Sequence, residues 1–170
     1  SVVREGSEGT VMAAKLRVVG GSPLTGEISV RGAKNFVSKA MVAALLSSDT
    51  SVLRNVPLIR DVDVVSDLLR LHGVEVDYDQ EEGRLAITPG RISLPNDPVE
   101  MDRLAGSSRI PILFAGPLLH NLGEAFIPDL GGCHIGDRPV DFHMQVLEDF
   151  GAQKVQEEGG MHLVAPRGLK

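Results

Sequence analysis

Hydrophobic and polar positions alternate at Val74, Val76 and Tyr78, break at Glu81-Glu82-Gly83, and resume at Leu85 and Ile87. Period-two spacing on both sides of a short polar turn predicts a hairpin. A second hairpin is predicted over 153–156 and 162–165, around Glu157-Glu158-Gly159. Upstream of each hairpin the period changes. Val64, Val65, Leu68 and Leu69 fall at helical spacing over 63–71 and end at Gly73; Val146, Leu147 and Phe150 do so over 141–150 and end at Gly151. Each pattern predicts an amphipathic helix closed by a glycine. Short segments over 52–55 and 125–127 are predicted as a strand before each. An earlier helix over 35–46 carries Phe36, Val37, Ala40, Met41, Ala44 and Leu45, apolar on nearly all sides, which predicts burial all round. Its counterpart starts near Ile110, with Pro111 in the first turn, where a missing N–H costs little. Short strands over 16–19 and 27–30 are predicted to open the first series, and short strands are expected to open the second.

The chain therefore reads as one βαβαββ pattern written twice. Leu45-Leu46 matches Leu118-Leu119, His72-Gly73-Val74 matches Phe150-Gly151-Ala152, and Glu81-Glu82-Gly83 matches Glu157-Glu158-Gly159. A spacing of this size implies a supersecondary unit beside its own copy. The expected organisation is a flexible arm over 1–14, with Met12 as a candidate start, then units over 15–90 and 91–170. The separation of matched residues grows between the Leu pair and the glycine. The second unit thus holds extra residues there, over Gly131 to Arg138, where the first has only Val56 to Arg60. Insertions in repeats fall on loops, often at a binding face.

Composition narrows the class. At 170 residues, 42% hydrophobic and 24% charged, the chain has a globular profile and can bury a core. With aromatics at 4% and no Trp, that core must come from Leu, Val, Ile and Ala. A net charge of −6 argues against non-specific nucleic-acid binding. A single Cys cannot form an internal disulfide, which fits a reducing cytoplasm. No run approaches the ~18 apolar residues of a membrane span.

Candidate chemistry collects in three places. Cys133 lies in Gly131-Gly132-Cys133-His134-Ile135-Gly136-Asp137-Arg138. A lone cysteine is more often buried and inert. Here, flanking glycines favour a loop, and a nearby guanidinium would favour the thiolate or hold an anion beside it. Lys34-Asn35 follows Gly32-Ala33 where a strand is expected to hand over to a helix, a position that attracts anions; the plainer reading is a solvated lysine beside an Asn cap. Arg109 occupies the matching helix start in the second unit. Asp141 opens the next helix, where it would also serve as an N-cap. Adjacent Cys133 and His134 make a poor pair of ligands for one metal ion, no second Cys/His pair appears, and no metal or cofactor is expected. There is no G-x-S-x-G elbow and no dinucleotide fingerprint. His72, His120 and His162 read as surface or helix-end residues.

Several of these segments together resemble the enolpyruvyl transferases, and among them the UDP-N-acetylglucosamine 1-carboxyvinyltransferases. They are Arg31-Gly32-Ala33-Lys34-Asn35, Arg54-Asn55-Val56-Pro57 with Asp61-Val62-Asp63, Ser108-Arg109 with Gly116-Pro117-Leu118, and the run from Gly131 to His143 containing Arg138-Pro139-Val140-Asp141-Phe142. The resemblance spans nearly everything after residue 15. It implies an α+β fold, the inside-out α/β prism of repeated βαβαββ units. It also implies transfer of the enolpyruvyl group of phosphoenolpyruvate to the 3-hydroxyl of UDP-N-acetylglucosamine with release of phosphate, the first committed step of peptidoglycan synthesis.

By that resemblance Cys133 would protonate the phosphoenolpyruvate methylene and be the site of fosfomycin attack. Lys34, Arg109 and Arg138 would hold phosphoenolpyruvate. Asn35 would contact the sugar nucleotide, and Arg138, Pro139, Val140, Asp141 and Phe142 would line the uracil pocket. Members have two domains of three units each, so two units imply a partial enzyme, inactive alone, whose cleft the rest of the polypeptide completes. Leu113 stands where the family commonly has a tryptophan, and His134 and Asp137 replace small or neutral residues. The alternatives are a related transferase acting on another nucleotide acceptor, and a non-catalytic binding module.

Overall fold

The computed structural model describes residues 2–5, 15–95, 98–105, 109–128, 141–157 and 159–170. It divides into two bodies, Ser1–Val30 and Arg31–Lys170. In the first, β1 (Val2–Glu5) pairs antiparallel with β2 (Lys15–Val18). A strand therefore lies within the stretch read as a flexible arm; residues 1 and 6–14 of it lie outside the described residues. The strand expected over 27–30 does not form, and Ile28 and Val30 are exposed. Alternation supplies an apolar face, but only pairing with a neighbour makes a strand.

The second body contains one topology twice. β3 (Ser51–Leu53), β4 (Glu75–Asp79) and β5 (Arg84–Thr88) form an antiparallel sheet in the order β3-β5-β4. β6 (Glu124–Pro128), β7 (Gln153–Glu157) and β8 (Gly160–Val164) repeat it as β6-β8-β7. β6 begins 73 residues after β3, β7 78 after β4, and β8 76 after β5. These are the separations of the matched residues in the sequence. Helix α2 (Arg60–Leu71) joins β3 to β4, and α5 (Asp141–Asp149) joins β6 to β7.

Both helices end alike, for a backbone reason. After α2, the Gly73 N–H donates to the Arg70 carbonyl (2.9 Å) and the Val74 N–H to the Leu69 carbonyl (3.1 Å). After α5, the Gly151 N–H donates to Glu148 (2.8 Å) and the Ala152 N–H to Leu147 (2.9 Å). This double closure satisfies carbonyls the helix leaves open, and it needs a left-handed residue at the glycine. Gly73 and Gly151 supply it, at φ +83° and +100°. The chain then returns past each helix end: the Ser93 N–H donates to the His72 carbonyl (3.1 Å), and the Lys170 N–H to the Phe150 carbonyl (2.9 Å).

Each unit also has a helical segment before its sheet. α1 (Lys34–Ala43) runs into a 3-10 turn, Ala44–Leu46; in the second unit a 3-10 turn, Ile110–Phe114, runs into α4 (Ala115–Leu122). The second unit opens on a helix, α3 (Pro98–Ala105), where short strands were expected. Proline suits the first helical position, Glu100 and Arg103 pair one turn apart, and Met101 is fully buried against the core.

α1 is not buried all round. Val37, Met41, Val42 and Leu45 face the core, but Phe36 is 68% exposed. One hydrophobic cluster runs through both units, including Val62, Val65, Leu68 and Leu69 of α2, Leu85 and Ile87 of β5, Phe114, and Leu118 and Leu119 of α4. Each such side chain contributes about 1.5–3 kcal/mol through burial.

Candidate active site

The turn that leads into α1 is tied down on several sides. The Gly32 N–H donates to the Asn55 carbonyl (2.9 Å), and a Cβ on Gly32 would sit 2.8 Å from that oxygen, so only glycine fits. Asn55 presents its carbonyl from a left-handed backbone, φ +56°, which asparagine tolerates better than most residues. The Arg31 guanidinium donates to the carbonyls of Val56 (3.2 Å), Gln80 (3.1 Å) and Glu81 (3.1 Å). The Val56 N–H in turn donates to the Gly83 carbonyl (2.8 Å), and the Tyr78 hydroxyl to that of Pro57 (3.4 Å). The Tyr78 hydroxyl is pushed above its ordinary range by burial and by the Asp63 carboxylate, against an opposing pull from Arg31.

Lys34 is the first residue of α1, and its Nζ lies 3.4 Å from the Asp61 carboxylate in the first turn of α2. Asn35 is not the cap: Ala33 holds the N-cap position, no side chain caps the helix, and no acid lies in its first turn. That end of α1 keeps its positive dipole end uncompensated by acidic residues of its own. A small cavity of about 130 Å³ adjoins it, lined by Gly32, Ala33, Phe36, Arg54, Asn55 and Pro57 among others.

Arg109 is the N-cap of the 3-10 turn Ile110–Phe114, partly buried, and its Nε is buried with no hydrogen-bond partner among the described residues. α1 packs against this turn. The start of α5 lies across from it: Phe142, His143, Val146 and Leu147 line an apolar groove of about 440 Å³ with Ile112, Leu113, Gly116 and Pro117. Asp141 is the first residue of α5 and is exposed, as is Phe142. The described candidates thus sit on α1, on the 3-10 turn that α1 packs against, and at the start of α5, which faces that turn across the groove. Cys133, Arg138, Pro139 and Val140 lie outside the described residues, with His134 and Asp137.

The family model for EPSP synthase (3-phosphoshikimate 1-carboxyvinyltransferase) matches residues 18–167. The chain belongs to the EPSP synthase family. Within that family it is 41% identical over 160 residues to a UDP-N-acetylglucosamine 1-carboxyvinyltransferase of Protochlamydia amoebophila, covering 91% of this chain and 34% of that protein. It is 43% identical over 150 residues to the enzyme of the same name from Gluconacetobacter diazotrophicus, covering 88% and 35%. The chain spans about a third of the length of these relatives. The enolpyruvyl transferase NikO from Streptomyces tendae superposes with a TM-score of 0.71 at 21% identity, over 88% of this chain and 32% of that one. The fold is therefore the mixed α+β fold of the enolpyruvyl transferases.

Within this EPSP synthase family member, sequence reasoning missed several contacts. His72, read as a surface or helix-end residue, is at the end of α2 but fully buried. Its Nδ1 is 2.7 Å from the Leu68 carbonyl, so Nδ1 carries the proton, and burial holds the imidazole below its ordinary value. His162 lies within β8, its Nε2 3.4 Å from Glu124, while His120 is exposed in the last turn of α4. Asp61 as the partner of Lys34 and Arg31 as a clamp on three carbonyls were also missed. Both lie in motifs that had been singled out, but their partners are distant in the chain.

Proposed function

We propose that this chain carries part of the site of a UDP-N-acetylglucosamine 1-carboxyvinyltransferase. The observation that supports it most is the 41–43% identity to enzymes of that name across about nine-tenths of the chain. In this reading Lys34, Arg109 and Arg138 bind the phosphate and carboxylate of phosphoenolpyruvate. The buried Arg109 Nε, without a partner among the described residues, is a donor suited to an anionic oxygen. Asn35 contacts the sugar nucleotide, and Arg138, Pro139, Val140, Asp141 and Phe142 line the uracil pocket.

Cys133 gives its proton to the methylene carbon as the sugar 3-hydroxyl oxygen bonds to the adjacent carbon and passes its own proton to a carboxylate from the remainder of the polypeptide. The methyl group so formed then returns a proton as the carbon–oxygen bond to phosphate breaks, leaving the enolpyruvyl ether and inorganic phosphate. Fixed cations around such a path stabilise the charge that develops along it. Cytoplasmic location, a place in peptidoglycan and cell-wall synthesis, with its bearing on cell shape and division, and sensitivity to fosfomycin follow from this reading. So does the division into units over 15–90 and 91–170.

The remainder of the polypeptide is proposed to complete the cleft. Supporting this, Phe142 and Val146 of α5 and Phe150 just after it are 77%, 52% and 49% exposed, whereas Leu68 and His72, the counterparts of the last two in and just after α2, are fully buried. The test is phosphate release from phosphoenolpyruvate with UDP-N-acetylglucosamine, on the complete polypeptide and on the 170-residue chain. The complete protein should turn over and form a fosfomycin adduct that Cys133→Ser abolishes; the short chain should do little. Turnover only with a different nucleotide acceptor, or none at all, overturns the assignment.

A further inference from the structure

Arg31 has an unusual set of partners for an exposed arginine. Among the described residues no carboxylate receives its guanidinium; three backbone carbonyls do, one from the loop after β3 (Val56) and two from the β4–β5 turn (Gln80 and Glu81). A rigid fork of donors reads the relative position of two loops in a way a flexible ammonium cannot. Three residues later the chain reaches Lys34. Between them, Gly32 is pinned to Asn55 at a distance that tolerates no side chain. The loop that receives Gly32 is itself tied to the same hairpin turn through Val56 and Gly83. Residues 31–33 are thus fixed at two successive points to two loops that are fixed to each other, and α1 starts immediately afterwards without a side-chain cap.

We propose that Arg31 is a positioning residue, whose grip on the carbonyls of Val56, Gln80 and Glu81 sets where Lys34 and Asn35 are presented at the start of α1. This rests on the reading of Lys34 and Asn35 as substrate-binding residues for its functional meaning, but not for its geometry.

The experiment separates the two. Reductive ¹³C-methylation keeps each lysine charged and gives Lys34 its own NMR signal, assigned by its loss in Lys34→Arg. In the ligand-free chain, Arg31→Ala should move that signal by several linewidths while the methyl signal of Met144, in α5, stays in place. Arg31→Lys, which cannot span three carbonyls, should move it partway. An unmoved Lys34 signal in either variant overturns the proposal. If Arg31→Ala unfolds the chain, Arg31→Lys decides alone. Phosphoenolpyruvate is then titrated into the complete polypeptide and followed through the same signal. Arg31→Ala should weaken its binding about tenfold, the scale of a small misplacement of a binding group. Absence of any phosphoenolpyruvate response in the unsubstituted protein counts against the functional reading and leaves the ligand-free result to decide the role of Arg31.

Discussion

His72 and Phe114 stack, ring centroids 5.2 Å apart and planes inclined by 21°, where the end of α2 meets the 3-10 turn of the second unit. Both rings are fully buried. The stack joins one unit to the next, and only an uncharged imidazole suits it. Nδ1 already donates to Leu68, and Nε2 has no partner among the described residues, so a second proton would place an unsatisfied charge in the core.

Stability should therefore fall on acidification. Burial lowers the folded-state pKa of His72 below its ordinary 6.5, so the unfolded chain takes up a proton first as the pH drops. The contribution is fully present above about pH 6.5 and is lost progressively below it. Thermal unfolding of the parent and of His72→Phe across this range should give curves that diverge below 6.5, with the variant the flatter. Parallel curves would show that His72 is not the group responsible.

Gly73 and Gly151 hold equivalent places but differ in surroundings. Alanine at either pays for a left-handed backbone, about 1–3 kcal/mol. At Gly73 the new Cβ would also lie 2.7 Å from the Arg91 carbonyl, whereas at Gly151 the nearest atom, the Gly168 oxygen, is 3.8 Å away. Denaturant titration should show Gly73→Ala as clearly the more damaging of the two.

Leu68 and Val146 also correspond, 78 residues apart, yet Leu68 is fully buried and Val146 is 52% exposed. Leu68→Ala should cost about 2–5 kcal/mol. Val146→Ala, in the same 170-residue chain, should stay within about 0.5 kcal/mol. Similar losses at both sites, by urea unfolding, would mean that something already covers α5.

Asn121 bridges the two units by donating from Nδ2 to the Leu45 carbonyl (2.9 Å) and to that of Pro117 (2.8 Å). Asn121→Ala should lower stability by about 0.5–1.5 kcal/mol. Asn121→Asp should do no better, because a carboxylate offers the two oxygens nothing to accept. A melting temperature for Asn121→Asp equal to that of the parent would discount the bridge.

Much of this architecture was legible in the sequence because it is local. Alternation at Val74, Val76 and Tyr78 and the turn at Gly83 place β4 and β5 within a residue or two, and Gly73 and Gly151 mark the true helix ends. The separations of matched residues reappear as separations of strands. What was misread depends on partners distant in the chain. Phe36 is apolar yet exposed, Ile28 and Val30 alternate without pairing, and α3 forms where strands were expected. His72 looked like a helix-end polar residue because nothing in its neighbourhood announces Phe114. Of the candidate site, Lys34, Asn35, Arg109 and Asp141 were recognisable as residue types at helix starts, and Phe142 only through the family resemblance. The ties through Arg31 and Asp61 needed two loops and a second helix to be folded first.

The doubled closure at the helix ends has a bearing on mutational tolerance. Position 72 is histidine and its counterpart 150 phenylalanine, yet the carbonyl of each receives the returning chain in the same way. What this joint demands is a main-chain path, set by the glycine that follows, while the side chain before it answers to its own surroundings, stacked on Phe114 in the core at 72 and half exposed at 150. Saturation libraries across the two halves should then show intolerant glycines at both joints, beside a position 150 that accepts many side chains and a position 72 that accepts only those that fit the core.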